Sequence, residues 1–188
     1  YIQKGEFFEE VDGNAIVKKA RVMREQTNAR RSKRNLDLNP KQYYGQKKGL
    51  IILVNFSDVK FDEQHTNEMF QRIANEEGYS EGKFKGSITD YFKAQSNGQF
   101  ELDFDVVGPV TVSKKASYYG ENNTDGSDKY AAEMIIEAVN SAKLMVTDWY
   151  QYDWNNDGEV DQVYVIYAGK GEAEGGASTN IWPHAYDL

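Results

Sequence analysis

The run Asp153-Trp-Asn155-Asn-Asp157-Gly158-Glu159-Val-Asp161 has the residue types and spacing to hold a metal ion. Side-chain oxygens stand at its positions 1, 3, 5 and 9, with glycine at position 6. Alternate residues of a tight loop point to its inside. Glycine permits the sharp bend that aims the next carbonyl, that of Glu159, at the same point. Hard oxygen ligands in this phase suit calcium. A helix–loop–helix calcium site would close with a bidentate Glu at position 12, but that position is Tyr164, inside an apolar run. The loop is therefore expected to lead into a strand. Its ligands would be the side chains of Asp153, Asn155, Asp157 and Asp161 and the carbonyl of Glu159. The role would be structural, because three clustered carboxylates repel one another without a cation. The same residues can also build an Asx-rich turn with no metal, and spacing alone leaves that open.

The remaining chemistry is sparse. Only His65 and His184 are present, with no HExxH, HxH or CxxC pattern, so the chain carries no zinc signature of its own. His65 reads as a surface residue, and His184 as a hydrogen-bonded structural one. No GxSxG occurs, and no serine has suitably spaced His and Asp partners. With no cysteine, disulfides, thiolate metal sites and a cysteine nucleophile are all excluded. The glycine-rich stretch 169–176 carries Glu172 and Glu174 where a phosphate loop would need neutral or basic residues. From residue chemistry alone, this is an α/β calcium-binding domain of unassigned activity.

The elements that must position the loop follow from periodicity. Leu50–Phe56 is a nearly unbroken apolar run, as expected of a buried central strand. A helix is expected over Phe61–Glu77, with Asp62 as N-cap and Met69, Phe70 and Ile73 on one face. Ser87 and Asp90 form a carboxylate version of the capping box, opening a second helix that stops at Asn97-Gly98. Phe100–Val106 alternates as a strand with one wet face, continued by Val110 and Val112 past Gly108-Pro109. A long helix is expected over Lys129–Val146, its buried stripe formed by Ala132, Ile135, Ile136, Val139 and Ala142. Val163–Tyr167 reads as another buried strand. Strands alternate with helices, which predicts an α/β sheet layered with helices. Near the N-terminus, residues 6–19 read as a hairpin turning at Asp12-Gly13.

Charge divides the chain. Residues 1–48 carry 12 Lys and Arg against 6 Asp and Glu, whereas 49–188 carry 10 against 24. A basic segment joined to an acidic body fits a pro-segment or linker tethered to a domain. Nucleic-acid binding fits poorly, because the acidic body repels phosphates. Arg30, Arg31, Lys33 and Arg34 lie in a polar linker that is a natural protease target. No apolar run approaches the roughly 18 residues of a membrane span. The chain opens without Met or a leader, which reads as a mature or trimmed product whose signal peptide is out of view.

Several phrases, in order, resemble the immune-inhibitor-A-like family of secreted bacterial metallopeptidases. They are Lys48–Phe56, Gly86–Phe92 with Gln95–Gly98, Phe104–Val110, Tyr118-Tyr-Gly120, Tyr152–Asp161, Val165–Gly169 and Ile181-Trp-Pro-His184. The resemblance covers about residues 46–188. It implies a zincin-like catalytic-domain N-terminal half with a mixed twisted sheet, preceded over 1–45 by the end of a pro-region and a basic linker. It further implies a zinc endopeptidase acting on proteins or peptides, secreted or at the cell surface. The HExxH helix and third zinc ligand would follow Leu188 and belong to the missing C-terminal part of the catalytic domain. There zinc would activate a water with the motif Glu as base. This chain alone would be inactive and would retain only the calcium loop. The alternative is a non-catalytic, calcium-stabilised extracellular binding module of the same fold; a third reading is a regulatory fragment left by proteolysis.

Overall fold

The computed structural model describes residues 2–4, 7–9, 43–183 and 185. Arg30, Arg31, Lys33, Arg34 and His184 lie outside them. Strands β1 (Ile2–Lys4) and β2 (Phe7–Glu9) pair antiparallel, with Gln3 opposite Phe8. Phe7–Glu9 is thus a strand, paired with the one that precedes it. The turn read at Asp12-Gly13 falls outside the described residues.

The body is built on β3 (Gly45–Asn55), the centre of a three-stranded sheet in the order β4-β3-β5. Both neighbours, β4 (Phe100–Thr111) and β5 (Val163–Tyr167), run parallel to it. The sheet expected as mixed is therefore parallel in every described pairing. Parallel neighbours need long crossovers, and both connections carry helices. The first holds α1 (Asn67–Asn75) and α2 (Ile88–Gln95). The second holds α3 (Ala116–Tyr119), α4 (Ala131–Ala142) and a 3-10 turn at Tyr150–Tyr152.

Two apolar layers cover β3, whose Leu50–Val54 are at most 1% exposed. Ile51 and Leu53 pack with Phe100, Leu102, Phe104 and Ala74 on the side of α1 and α2. Leu50, Ile52 and Val54 pack with Met134, Ala138 and Tyr152 on the side of α4. A bulge in β4 switches its inward face. Ile52 lies opposite Val107 but Val54 opposite Val110, so β4 holds one extra residue there. Even residues before the bulge face α1 and α2, whereas Val110 and Val112 face α4. Gly108 makes the bulge with φ +97°, where a Cβ would sit 2.7 Å from the Leu53 carbonyl oxygen.

The outer edge of β4 is closed by side chains. Asn75 accepts from the Phe104 N–H at 2.8 Å and donates to its carbonyl at 2.9 Å. The Thr89 hydroxyl donates to Leu102 O at 2.6 Å, and Asn67 donates to Val106 O and Gly108 O, each at 3.1 Å. Ser96 Oγ accepts from the Phe100 N–H at 3.0 Å. Helix side chains thus take the place of a further strand. Asn75→Ala, which strips both partners from Phe104, is expected to lower the unfolding free energy by about 1–3 kcal/mol. An unchanged urea midpoint would contradict that role.

The helices match expectation unevenly. The Ser87–Asp90 capping box forms as read. Helix α1 starts at Asn67 with Thr66 as N-cap; Asp62 instead accepts from the Gln64 and His65 N–H groups in a preceding turn. Helix α4 is shorter than expected, and its buried stripe is Ala131, Met134, Ala138 and Ala142, with Ile136 at 51% exposure. Strand β5 is half-buried along its length, because it lies at an edge.

Candidate functional site

The loop 153–161 joins the Tyr150–Tyr152 turn to β5. Two buried aromatics fix its entry. The Tyr152 hydroxyl donates to Asp105 Oδ2 at 2.8 Å, and Lys48 Nζ bridges Asp105 at 3.0 Å and Asp103 at 2.8 Å. Burial and the Asp105 carboxylate push the Tyr152 phenol well above its usual pKa. Trp154 donates its indole N–H to Lys48 O at 2.8 Å and accepts from Lys47 Nζ at 3.2 Å through its carbonyl. Asp153 is held between these anchors.

Inside the loop, backbone donors converge on the acidic side chains. Asp153 accepts from Gly158 N at 2.8 Å and Asp157 N at 3.2 Å. Asp157 Oδ1 accepts from Glu159 N at 2.9 Å, and Asn155 Oδ1 from Asp157 N at 2.9 Å. Asp161 accepts from the Trp154 N–H, and its own N–H donates to Tyr152 O at 3.1 Å. Gly158, at φ +89°, and Asn156, at φ +60°, take the left-handed conformations that close the loop. Burial alone would raise the Asp153 carboxyl, but the surrounding N–H groups hold it below the usual carboxylate range. Asp161 is pushed upward by burial, and further by the neighbouring Asp157 and Asp153 charges.

The structure brings Asp153, Asn155, Asp157, Glu159 and Asp161 into one turn, in the Asx-type network. Among the described residues no three His, Asp or Glu side chains converge as a metal site. A carboxylate has about four lone-pair sites, and the same oxygens that accept these N–H groups are of the type that binds a hard cation. The donor set is all oxygen, which fits calcium and not zinc. No zinc site fits the described residues: His65 is tied to Asp62 at 2.7 Å on an exposed turn.

Contacts that sequence reading missed lie beyond β5. The 169–176 stretch holds a 3-10 turn at Glu172–Glu174, and the chain then folds back across the carboxyl end of the sheet. Ile181 O accepts from the Tyr167 hydroxyl at 2.9 Å and from Glu172 N at 3.1 Å. The Trp182 N–H donates to Asp128 at 2.7 Å, and Asn122 to Ser178 O at 2.7 Å. Gly120 lies so close to this strap that a Cβ would sit 2.7 Å from Ile181 N. The phrases around Tyr118-Tyr-Gly120, Val165–Gly169 and Ile181-Trp-Pro thus meet in space. The one sequence signal for this was Gly120: it caps α3, but at φ −93° that role does not require glycine, whereas the close approach of the strap does. Phe56, Asp58, Ser117, Tyr167 and Ile181 line a cleft of about 160 Å³ here. Open α/β sheets place ligands at such strand ends, but this volume is below the roughly 300 Å³ of a small-molecule site. Burial pushes the Tyr167 phenol up to about 12.

Comparison with known proteins adds a family match. The profile described as "Immune inhibitor A peptidase M6, catalytic domain" matches residues 40–188. The chain is 27% identical over 175 residues to "Pre-pro-metalloprotease PrtV" of Vibrio cholerae serotype O1, covering 75% of this chain and 19% of that protein. It is 28% identical over 175 residues to "Immune inhibitor A" of Bacillus thuringiensis subsp. alesti, covering 75% of this chain and 26% of that protein. It therefore spans about a quarter or less of the length of these relatives.

Proposed function

Because the chain belongs to the immune inhibitor A peptidase family, we propose that residues 46–188 are the N-terminal part of a secreted zinc endopeptidase's catalytic domain. The observation that carries this is the catalytic-domain match over residues 40–188. The parallel sheet, layered on both faces, serves as the scaffold of a zincin-like domain. Protein or peptide substrates, zinc and its ligands belong to the whole enzyme. The described residues hold no zinc site, so no catalytic step is assigned to them. Residues 1–45 are the end of a pro-region, with processing at Arg30, Arg31, Lys33 or Arg34. Calcium in the 153–161 loop is structural: it neutralises Asp153, Asp157 and Asp161 and rigidifies the entry to β5. Among the described residues no helix is long and apolar enough to cross a membrane.

The 188-residue chain is expected to show no zinc-dependent hydrolysis of casein or a peptide library. Turnover that a chelator abolishes and zinc restores would place the active site within these residues and overturn the reading.

A further inference from the structure

The 153–161 loop is tied to the sheet where its two ends meet. Lys48 of β3 uses its side chain and its main chain for separate contacts there. Its Nζ meets Asp105 Oδ1 at 3.0 Å and Asp103 Oδ2 at 2.8 Å, and its carbonyl accepts from the Trp154 indole N–H at 2.8 Å. Asp105 Oδ2 in turn accepts from the Tyr152 hydroxyl at 2.8 Å. Both Asp105 oxygens are thus engaged, one by the ammonium and one by the phenol, which fixes the carboxylate between β3 and the loop entry. Tyr152 is itself buried, at 1% exposure. Residues 152 and 154 bracket Asp153, the first residue of the loop. The same two residues hold the last: the Asp161 N–H donates to Tyr152 O at 3.1 Å, and the Asp161 carboxylate accepts from the Trp154 N–H. The bonds that Asn155, Asp157, Gly158 and Glu159 make are by contrast internal to the loop.

We propose that Asp105 is a positioning residue for the loop: through the Tyr152 hydroxyl it holds Asp153 and Asp161 in place for a cation before one binds. It acts through Tyr152 rather than as a ligand, and what it sets is the fraction of molecules whose loop is closed. Apparent affinity falls in proportion to that fraction. A phenol donating to a carboxylate makes a charge-assisted bond, among the stronger kinds, and here it lies out of water. The effect on affinity rests on the reading of the loop as a calcium site; the effect on loop order does not.

Amide hydrogen exchange across residues 155–160, followed against free calcium in the full product of the gene, tests this. Without calcium, Tyr152→Phe and Asp105→Leu are each expected to speed exchange at Asp157, Gly158 and Glu159 about 10-fold, with Ile52 in β3 unchanged. Each should also raise about 10-fold the calcium concentration that half-protects those amides. Asp105→Asn keeps an oxygen for the phenol and should stay near the parent protein in both. Adding Tyr152→Phe to Asp105→Leu should change nothing further, because the two act through one bond. Loop exchange and a calcium response that Tyr152→Phe leaves unaltered would overturn the proposal. So would acceleration at Ile52 equal to that in the loop, which would make the bond part of the general core. A parent loop whose exchange ignores calcium would remove the calcium reading alone; the metal-free rates then still decide whether Asp105 orders the loop.

Discussion

Trp154→Ala is expected to lower the unfolding free energy by about 3–5 kcal/mol, the largest single loss in the described core. The indole is 6% exposed and stacks edge-on with Phe100 at 5.7 Å and with Tyr43 at 6.2 Å between ring centroids. Its removal leaves a cavity beneath the sheet and strands the Lys48 carbonyl, which the indole N–H now satisfies. The backbone N–H of residue 154, the donor to Asp161, remains in the alanine variant, but the indole no longer holds the residue that carries it. Trp154→Phe keeps most of the packing but loses the indole donor, so its loss should be smaller, about 1–2 kcal/mol. Urea unfolding of the three proteins gives the comparison. A loss under about 1 kcal/mol for the alanine variant would show that the loop is not anchored through this residue.

The second large effect is that of calcium itself. A ligand that binds only the folded state stabilises it by roughly 2.7 kcal/mol at a hundred times its dissociation constant. The chain is therefore expected to melt later as free calcium rises and earlier with a chelator. Asp157→Ala removes a carboxylate from the centre of the loop and should abolish most of that increment. Asn156 sits at φ +60° and is exposed. Its side chain should point away from the ion, so Asn156→Gly, which keeps the conformation at no steric cost, should leave the increment intact. Metal–oxygen distances of about 2.3–2.6 Å in a calcium-soaked crystal would identify the ion. A melting temperature indifferent to calcium and chelator would leave the loop as an Asx turn alone.

Elements with redundant signals were legible in the sequence. β3 was, because a short apolar run rich in Ile, Leu and Val, bounded by Gly49 and Asn55, suits a strand buried on both faces. So was the start of α2, where Ser87 and Asp90 cap each other reciprocally. Where two residues compete for one role, the reading slipped. Asp62 and Thr66 can each cap a helix, and the structure gives Asp62 a turn of its own. Helix α4 carries apolar residues round most of its circumference. Its small residues, Ala131, Ala138 and Ala142, are the ones that approach the sheet, while Ile136 faces outward. Counting apolar residues does not choose between those faces; packing distance does. The sense of the sheet was not legible either, because a strand's own pattern does not say which way its neighbour runs. The loop 153–161 was found from spacing, yet the same oxygens serve an Asx network and a cation. The strap over 177–183 was hidden, since its partners Asp128, Tyr167 and Gly120 are distant in sequence.

The most direct test of the central claim is peptide hydrolysis by the full product of the gene that encodes this chain, measured beside the 188-residue chain. Zinc is first stripped from both proteins and then restored. The account predicts hydrolysis by the full product that is lost with zinc and recovered on its return, and none by the short chain under either condition. A correctly folded full product that binds calcium but hydrolyses no peptide with zinc present would contradict it, and would make this fold a binding module.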